Sequence, residues 1–565
     1  YFPRRQLPMT KLVSLHDAVA QTVAPTATVL FAFTHNRSHA AAFEVARQFR
    51  DRRCLTLAAT GLLEYASILV AAGAVSRVES AFAGATYPAP APSRVLQRQI
   101  DARMDNDPDW TNLTMTLRLM AGAMGWPFVP THSLAGSGLW SERSRARLAD
   151  PFSGQPSTVI AALQPDVTFV HAPVADTLGN AIVHGPDAEE GWGVWAARRV
   201  VVTAERVVTP DELRRLGPRS GIPGHRVDFV VEAPFGAHPQ GQFVWSEGEG
   251  VASYAEDYEF RRTLRTLSRD PASLRAWVED WVLDTDAAGY LERLGPARLD
   301  DLRRQAVAPT PAAPRDAQAN ASPEERAAVL AMRLAEAEAQ AGRAQTFFAG
   351  IGLAHLATWA AERRCRDAGL DVALIAETGM VGFRPIEGDP YLFNRPNAAS
   401  SLFHNGFVQT LAVLAGPRAR HCLAMLAAAQ IDARGNINSS RGADGSFIVG
   451  SGGANDLGSG AAACLVVMPL KPGRFVETLP FTTTPIHRHA GVATDLGVLE
   501  RDARGFLRVR GVMCGPGAEA ATLAEIAARC GRTFNTHPAL ERFDPPTPQE
   551  LTSLRRFDPQ RAILA

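Results

Sequence analysis

A short stretch in the second half of the chain, residues 371–385, places an acid directly after a run of apolar residues. Val372–Ala376 has the length of a strand and no alternating polar side chains, which is typical of a strand buried on both faces. Glu377 follows it, and Gly379 permits a sharp turn and the close approach of a ligand to the backbone. Since ligands bind at the carboxyl ends of strands in open α/β sheets, the pattern favours a nucleophile or base at Glu377.

A second stretch, residues 448–461, is rich in glycine. Glycines leave backbone N–H groups uncovered, and such groups stabilise an oxyanion when they converge on it. A lone acid after a strand is often only a helix cap or an ion-pair partner, so the argument for catalysis rests on the two stretches together. We predict Glu377 as the catalytic acid and the amides of Gly452 and Gly453 as donors to an oxyanion.

At these residues the chain resembles the family I CoA-transferases, most closely the glutaconate CoA-transferase group. The family's Glu-(Ser/Asn)-Gly turn is matched by Glu377-Thr378-Gly379. Two further motifs follow in the family's order, Gln-(Val/Ile)-Asp-x-x-Gly-Asn-x-Asn at residues 430–438 and Gly-Gly-x-x-Asp at residues 452–456. The first half resembles the first subunit of the same group, for example at residues 235–239, so the resemblance covers nearly the whole chain.

The resemblance implies an acyl-CoA:carboxylate CoA-transferase with a ping-pong mechanism. The Glu377 carboxylate attacks the thioester carbonyl, and a glutamyl-CoA thioester forms on Glu377 before a second acid takes the CoA. One thioester forms for each one broken, so neither a metal nor a permanently bound cofactor is expected, and the coenzyme A thioester is a substrate. The expected partners are an acyl-CoA and a carboxylic acid.

Further residues are predicted to bind the acyl-CoA or to order the site. Thr378 and Gly379 belong to the turn itself, and Asp456 is expected to brace the glycine-rich stretch. Gln430 and Asn438 are predicted to order the site, although the capping of loops explains them equally well. Cations in loops are candidates for contact with a carboxylate of a dicarboxylic substrate, and these are His35, Arg37, His132 and Arg384.

Departures from the family pattern leave the substrate and the reaction open. Many relatives have a Gly-Gly-Phe loop where this chain has residues 33–37, and Thr378 replaces the commoner Asn or Ser. A related branch hydrolyses a carbon–carbon bond in cyclic-ketone CoA esters with an acid of the first half, for which Asp107 and Asp109 are the local candidates. The alternatives to transfer are therefore a CoA-ester hydrolase or a non-catalytic acyl-CoA-binding subunit. Because the acid after the buried strand is retained, transfer is favoured.

The elements that position these residues follow an α/β pattern, in which strand-like runs alternate with helical ones. Strands are predicted at residues 27–33, 55–59, 77–81, 167–171, 199–203, 227–231, 372–376, 423–431 and 464–468, with antiparallel strands within 473–515. We predict an α/β fold of two tandem CoA-transferase-like domains, each a mostly parallel sheet flanked by helices.

A shift in composition separates the two halves. Residues 306–323 are rich in Pro, Ala and polar side chains, which is typical of a linker. We predict a CoA-transferase α-subunit-like domain at residues 1–305 and a β-subunit-like domain with the catalytic acid at residues 324–565. Family members commonly have the halves as separate subunits, so the chain resembles a fusion that fixes their ratio and raises their local concentration.

Composition disfavours several other classes of protein. The 565 residues are too many for one ordinary core. Lys plus Arg equals Asp plus Glu at 58 each, which favours neither nucleic acid nor an anionic membrane as a partner. No apolar run reaches the roughly 18 residues that span a bilayer, and the first residues lack the apolar segment of a signal peptide. The six cysteines are scattered, as in a reduced cytosolic protein, so we expect a cytoplasmic protein. Because α/β halves of this kind can pair into larger assemblies, we also expect a homo-oligomer.

Overall fold

The computed structural model describes residues 10–32, 37–140, 143–217, 221–244, 250–307 and 320–565. His35 and most of the loop at residues 33–37 lie outside these residues, and so does most of the predicted linker at 306–323.

The α-helices of the described residues cover both halves of the chain. They are α1 Leu15–Thr22, α2 His39–Gln48, α3 Glu64–Ala71, α4 Arg94–Asp101, α5 Asn112–Met124, α6 Glu190–Ala196, α7 Pro210–Arg215, α8 Tyr258–Leu267, α9 Pro271–Val278, α10 Ala287–Leu294, α11 Pro296–Val307, α12 Pro323–Gln340, α13 Leu353–Asp367, α14 Arg395–Ala399, α15 Ala454–Gly460, α16 Glu519–Cys530 and α17 Pro548–Arg555.

The strands form two large sheets, a small antiparallel sheet and a hairpin. They are β1 Thr28–Phe31, β2 Leu55–Leu62, β3 Val75–Ala83, β4 Phe128–Thr131, β5 Arg145–Ala149, β6 Pro156–Ala161, β7 Val167–Asp176, β8 Ala181–Ile182, β9 Arg199–Val208, β10 Gly221–Ile222, β11 Phe229–Glu232, β12 Thr346–Ala349, β13 Ala373–Ala376, β14 Met380–Val381, β15 Phe403–His404, β16 Cys422–Leu426, β17 Gln430–Ile431, β18 Ile437–Asn438, β19 Ala463–Val467, β20 His489–Ala493, β21 Gly497–Arg501, β22 Leu507–Met513 and β23 Thr536–Phe543.

The first half is built on an eight-stranded sheet whose central strands are parallel. Strands β3, β2, β1, β7, β9 and β11 lie side by side and run in the same direction. The short strands β8 and β10 join it antiparallel. Strand β7 is buried along its whole length, as expected for a strand covered on both faces. The predicted mostly parallel sheet is confirmed for this half.

The second half is built on a ten-stranded sheet with a parallel centre. Strands β13, β12, β16, β19 and β20 run parallel, while β14 and β15 extend one edge antiparallel. On the other side β20, β21 and β22 pair antiparallel, as predicted for residues 473–515. The predicted α/β fold is therefore confirmed in both halves.

Two local predictions differ from the structure. The strand predicted at residues 423–431 ends at Leu426, and Gln430–Ile431 pairs instead with Ile437–Asn438 in a separate hairpin. Residues 427–429, which connect these two segments, line a cavity. The sheet of β4, β6 and β5 was not predicted, since its strands are short and β5 is mostly exposed, so they lack a strong apolar alternation.

The two halves meet along the edge of β3. We call residues 450–453 the glycine loop; just before it, the Val449 carbonyl accepts a hydrogen bond from the Ala83 N–H (2.9 Å), and the Gly452 N–H donates to the Ala81 carbonyl (2.9 Å). Phe82 and Gly450 form an antiparallel bridge between these bonds. One apolar core continues across this contact, and ends of strands from both sheets line one cavity.

Candidate active site

A cavity of about 500 Å³ lies between the two halves, at the carboxyl ends of strands from both sheets. Its wall includes the end of β2, the end of β3, and the loops after β12, β13 and β16. Such strand ends are where open α/β sheets bind their ligands. The strand-end residues on the wall are Thr60, Gly61, Phe82, Gly350, Ile351, Gly352, Glu377, Ala427, Ala428 and Ala429.

Glu377 reaches this wall because β13 stops directly before it. The strand ends at Ala376, and the chain turns at Gly379, whose φ is +113°. A Cβ atom at Gly379 would lie 1.8 Å from the Asn405 carbonyl oxygen, so only glycine fits there. The sharp turn predicted after the acid is thus required by both the backbone conformation and the packing.

The Glu377 carboxylate is held by groups from both halves. The N–H of Gly453 and the side chain of Asn112 lie beside it, and each lowers its pKa. A Cβ at Gly453 would lie 2.6 Å from Glu377 Oε2, so the backbone approaches this closely only because residue 453 is glycine. Glu377 and the glycine-rich stretch therefore lie next to each other in the structure, as predicted.

The environment of Glu377 makes its carboxyl group a weaker acid. Burial raises the pKa of Glu377 to about 7, against the effect of the nearby Gly453 N–H and Asn112 side chain, and the Asp456 carboxylate adds to the increase. Protonated and ionised forms are therefore both populated near neutral pH.

The hydrogen bonds of Gly452 do not support its predicted use as an oxyanion donor. Its N–H donates to the Ala81 carbonyl, and its carbonyl accepts a hydrogen bond from the Asn112 N–H at 3.0 Å. Both polar groups of Gly452 are thus used to join the glycine loop to the first half. Of the two predicted amides, that of Gly453 is the one directed at Glu377.

Asp456 is buried and contacts the first half rather than the cavity. Its Oδ1 accepts a hydrogen bond from Thr111 Oγ1 at 2.7 Å, and its Oδ2 accepts one from the Leu113 N–H at 3.2 Å. Burial raises the pKa of Asp456 to about 7, against the effect of the nearby Ser133 and Thr111 side chains. Thr111 is the N-cap of α5, so Asp456 holds the start of the helix from which Asn112 reaches Glu377.

Asn112 was missed in the sequence because nothing local distinguishes it. It is the first residue of α5, behind the capping box of Thr111 and Thr114, and its sequence context predicts only a helix start. Its partners, Gly452 and Glu377, belong to the other half of the chain.

Gln430 and Asn438 face each other across the β17–β18 hairpin. Asn438 Nδ2 donates to Gln430 Oε1 at 3.1 Å and to the Arg441 carbonyl at 2.7 Å. Neither residue lies on the cavity wall. Their contacts match the capping of a loop, the alternative left open from the sequence. Thr378 is buried next to Glu377, behind the wall.

The structure separates the predicted cations. Arg37 lines the cavity and is 1% exposed. His132 and Arg384 are exposed and do not lie on the wall, so the structure does not bring them to Glu377. His35 lies outside the described residues.

The two acids considered for hydrolysis are held in ion pairs away from the wall. Asp107 makes two hydrogen bonds to Arg145, at 3.0 and 3.2 Å. Asp109 accepts one from Arg441 at 2.6 Å, and burial raises its pKa. Neither carboxylate is on the cavity wall.

Metal-binding clusters and membrane-spanning helices are both absent from the described ranges. Within them, no cluster of three or more His, Cys, Asp or Glu side chains is arranged to hold a metal ion. None of their helices is both long enough and apolar enough to cross a membrane.

The sequence of the first half matches a known family. Residues 12–233 match the family described as Coenzyme A transferase. A relative of Archaeoglobus fulgidus, an uncharacterized protein, is 32% identical over 267 residues, which are 46% of this chain and 57% of that protein. A glutaconate CoA-transferase subunit from Acidaminococcus fermentans is 29% identical over 319 residues, 52% of this chain and 95% of its own length. The chain thus spans little more than half of the first relative and nearly all of the second.

Comparison with solved structures extends the similarity to both halves. An acyl-CoA transferase from Escherichia coli O157:H7, solved as a thioester complex with CoA, superposes with a TM-score of 0.63 over 97% of this chain and 96% of its own. The two sequences are 16% identical, so this likeness concerns the fold. The predicted resemblance to CoA-transferases is confirmed, by sequence for the first half and by fold for nearly the whole chain.

Proposed function

The chain resembles the coenzyme A transferases, and on this premise we propose that it transfers CoA from an acyl-CoA to a carboxylic acid through a glutamyl-CoA thioester on Glu377. The observation that carries the proposal is the position of Glu377, on the wall of the cavity between the halves. There the Gly453 N–H and the Asn112 side chain lie beside its carboxylate.

In the first step a Glu377 Oε attacks the thioester carbonyl carbon. The new C–O bond replaces the C–S bond, the electron pair of the latter leaves with sulfur, and the products are a mixed anhydride and a CoA thiolate. The thiolate then attacks the Glu377 carboxyl carbon, and the anhydride C–O bond breaks. The acid leaves as a carboxylate, and glutamyl-CoA stays on the protein. A second carboxylate runs both steps in reverse and departs as the new acyl-CoA.

The two donors to Glu377 have a defined part in these steps. When the thiolate attacks the Glu377 carboxyl carbon, negative charge develops on the Glu377 oxygen itself. The Gly453 N–H and the Asn112 side chain already contact that carboxyl group, so they stabilise the charge without reorganisation. A preorganised donor of this kind contributes about 10²–10³ in rate.

Asp456 acts as a positioning residue. It binds Thr111 and the Leu113 N–H on either side of Asn112, so it fixes the start of α5 and with it the amide that faces Glu377. Because Asp456 is buried, the Thr111 hydroxyl and the Leu113 N–H would lose their hydrogen-bond acceptor if the two halves separated, and this makes the contact between the halves specific. The site is therefore complete only when the halves are joined.

The test is the mass of the intact protein after incubation with a panel of acyl-CoAs. We expect a CoA adduct that maps to Glu377, that borohydride reduces, and that is absent from Glu377→Ala. Exchange of CoA between acids should fall at least about 10³-fold in that variant, because the covalent route is lost. Glu387→Gln, which changes an exposed acid of the following loop, is the matched control and should form the adduct.

The opposite result is equally clear. If CoA esters are consumed without an adduct and Glu377→Ala keeps its activity, the transferase proposal is wrong. If acyl-CoAs bind without turnover or adduct, the chain is a binding subunit.

A further inference from the structure

Two segments of the second half lie on the cavity wall near the first half. We call residues 350–352 the β12 loop and residues 390–393 the tyrosine segment. The β12 loop begins beside Glu377, because Ala349 pairs with Ala376 where β12 and β13 end. The wall residues of the two segments are Gly350, Ile351, Gly352, Tyr391 and Phe393. Both segments therefore shape the cavity that Glu377 lines.

Each segment contacts a stretch of the first half that follows β3. A Cβ atom on Gly352 would lie 3.8 Å from Pro90 Cδ, which is ordinary van der Waals contact. The Tyr391 hydroxyl lies 3.4 Å from Thr86 Oγ1. Pro90 and Thr86 both line the cavity. The positions of the two segments therefore influence the width of the cavity where the halves meet.

One side chain of α13, that of His355, joins the two segments from behind the wall. It is fully buried. Its Nδ1 accepts a hydrogen bond from the Gly352 N–H at 2.8 Å, and its Nε2 lies 2.9 Å from the Pro390 carbonyl oxygen. Because a carbonyl oxygen only accepts, Nε2 carries the proton and donates it. A neutral imidazole in this tautomer therefore binds the β12 loop and the tyrosine segment at once.

Only one of these two contacts is explained by the need to cap a helix. His355 is the third residue of α13, and Gly352 is the N-cap. At this position Glu or Gln commonly reaches back to the N-cap N–H, and here Nδ1 of the histidine does so. The bond from Nε2 to the Pro390 carbonyl adds nothing to the cap. Its effect is to connect a second wall segment to the first.

The surroundings of His355 fix its charge and its orientation. Burial lowers the pKa of His355 to about 4, although the Pro390 carbonyl opposes this effect. The ring packs against Trp359, with 4.7 Å between the ring centroids and 61° between the ring planes. The side chain is thus neutral near pH 7 and held in one orientation, as a group that positions others must be.

We propose, building on the transferase function above, that His355 is a positioning residue that sets the width of the cavity beside Glu377. It acts through the β12 loop and the tyrosine segment, and it does not itself lie on the wall. Without the imidazole, the Gly352 N–H and the Pro390 carbonyl lose this partner, and the two segments shift to recover hydrogen bonds elsewhere. Displacement of the groups around a reacting carbonyl by about 1 Å lowers a rate by about 10²-fold.

The test compares His355→Phe with His355→Gln in the formation of the CoA adduct on Glu377. Phe keeps a ring without nitrogen atoms, whereas Gln has one acceptor and one donor that can replace Nδ1 and Nε2. Acetyl-CoA, butanoyl-CoA, hexanoyl-CoA and succinyl-CoA are the probes. Adduct formation is followed by mass over a range of concentrations, which gives a maximal rate and a half-saturating concentration for each ester that reacts.

We expect His355→Phe to change both quantities. The maximal rate should fall at least about 10-fold, because the β12 loop beside Glu377 moves. The half-saturating concentration should rise at least about fivefold, because only the molecules with both segments in place bind the ester. His355→Gln should recover most of both losses. If His355→Phe does not fold, His355→Leu removes the same two hydrogen bonds with a smaller side chain.

Thr358→Val is the matched control, a buried polar residue one turn further along α13. It removes a hydroxyl that donates to the Ala354 carbonyl at 2.7 Å and lies away from the wall. Both kinetic quantities should stay within about twofold of the native values, since neither wall segment loses a partner.

Three outcomes would overturn the inference while the transferase function stands, because the native protein still forms the adduct. They are unchanged kinetics in His355→Phe with a native circular dichroism spectrum, equal losses in Thr358→Val, and losses in His355→Gln as large as those in His355→Phe. No adduct on the native protein with any of the four esters would overturn both.

Discussion

The ends of β2 and β13 carry nearly the same sequence and do different things. Residues 58–62 are Ala-Ala-Thr-Gly-Leu, and residues 376–380 are Ala-Glu-Thr-Gly-Met. Each strand follows a strand–helix unit and pairs parallel with the first strand of that unit, β1 or β12. The chemical difference is one position, where the first half has Ala59 and the second has Glu377.

The backbone after the shared pattern also differs. Strand β2 continues to Leu62, so Ala59 stays in the core and Thr60 and Gly61 form a smooth part of the wall. Strand β13 stops at Ala376, and the chain turns so that the acid faces the cavity. The turn is therefore needed to direct Glu377 into the cavity. At the same wall the first half contributes the side-chain amide of Asn112 and the guanidinium of Arg37.

The turn is the feature whose loss we expect to have the largest effect on folding. Gly379→Ala places a Cβ on a residue with φ of +113° and 1.8 Å from the Asn405 carbonyl oxygen. Strain and overlap together should destabilise the protein by about 3 kcal/mol or more. Unfolding by urea, monitored by circular dichroism, measures this.

Gly61→Ala is the matched variant in β2. Its φ is not in the left-handed region, and its nearest neighbour is the end of the Arg37 side chain, at 3.2 Å. We expect a loss below about 1 kcal/mol. Equal losses in the two variants would contradict the difference between the strand ends.

Loss of the Asn112 side-chain amide should have the next largest effect, which is on the rate of CoA exchange. Asn112→Ala removes one of the two donors to the Glu377 carboxyl group and keeps the backbone N–H that binds Gly452. We expect kcat for CoA exchange to fall about 10²-fold, as for the loss of one oxyanion donor. Urea unfolding should change little, and a small change in kcat would show that Gly453 suffices.

The smallest effect concerns pH. In the proposed mechanism Glu377 attacks as a carboxylate, and burial raises its pKa to about 7, so we expect kcat/KM to rise with pH through a midpoint near 7. Asp456→Asn removes a negative charge that favours the protonated form of Glu377, so the midpoint should move to lower pH, by less than about one pH unit.

The test depends on the midpoint of the pH profile and not on the rate itself. If Asp456→Asn weakens the contact between the two halves, the rate falls at every pH, whereas the midpoint moves only when the pKa of Glu377 changes. The variant places an amide where Asp456 accepts hydrogen bonds from Thr111 and the Leu113 N–H, so some loss of rate is expected. A midpoint that stays in place or moves upward would show that Asp456 does not act on Glu377 through its charge.

The central strands and the candidate acid follow from local sequence. Val372–Ala376 predicts a buried strand, and the structure has β13 at Ala373–Ala376 with Glu377 directly after it. Here one cause dominates, since a continuous apolar run is stable only inside a covered sheet. The sharp turn and the close backbone approach near Glu377 could also be predicted from local sequence, because both require glycine.

Other parts of the site depend on contacts between distant segments. Asn112 contacts Glu377 because Asp456 and Gly452 fix the start of α5, and no pattern around residue 112 encodes that contact. Gly452 was predicted as an oxyanion donor because its N–H has no local partner, yet the edge of β3 supplies one at Ala81. For both Asn112 and Gly452, contacts between the two halves of the chain determine the partners in the structure.

The contact between β3 and the glycine loop also matters while the chain is being made. The ribosome releases β3 long before residue 449 exists, so the newly made first half has an open sheet edge at Ala81 and Ala83. An open edge is a site where unfinished chains aggregate by strand pairing. Residues 449–452 cover this edge, and Gly453, the next residue, lies beside Glu377, so one short segment both covers the edge and completes the wall around the candidate acid.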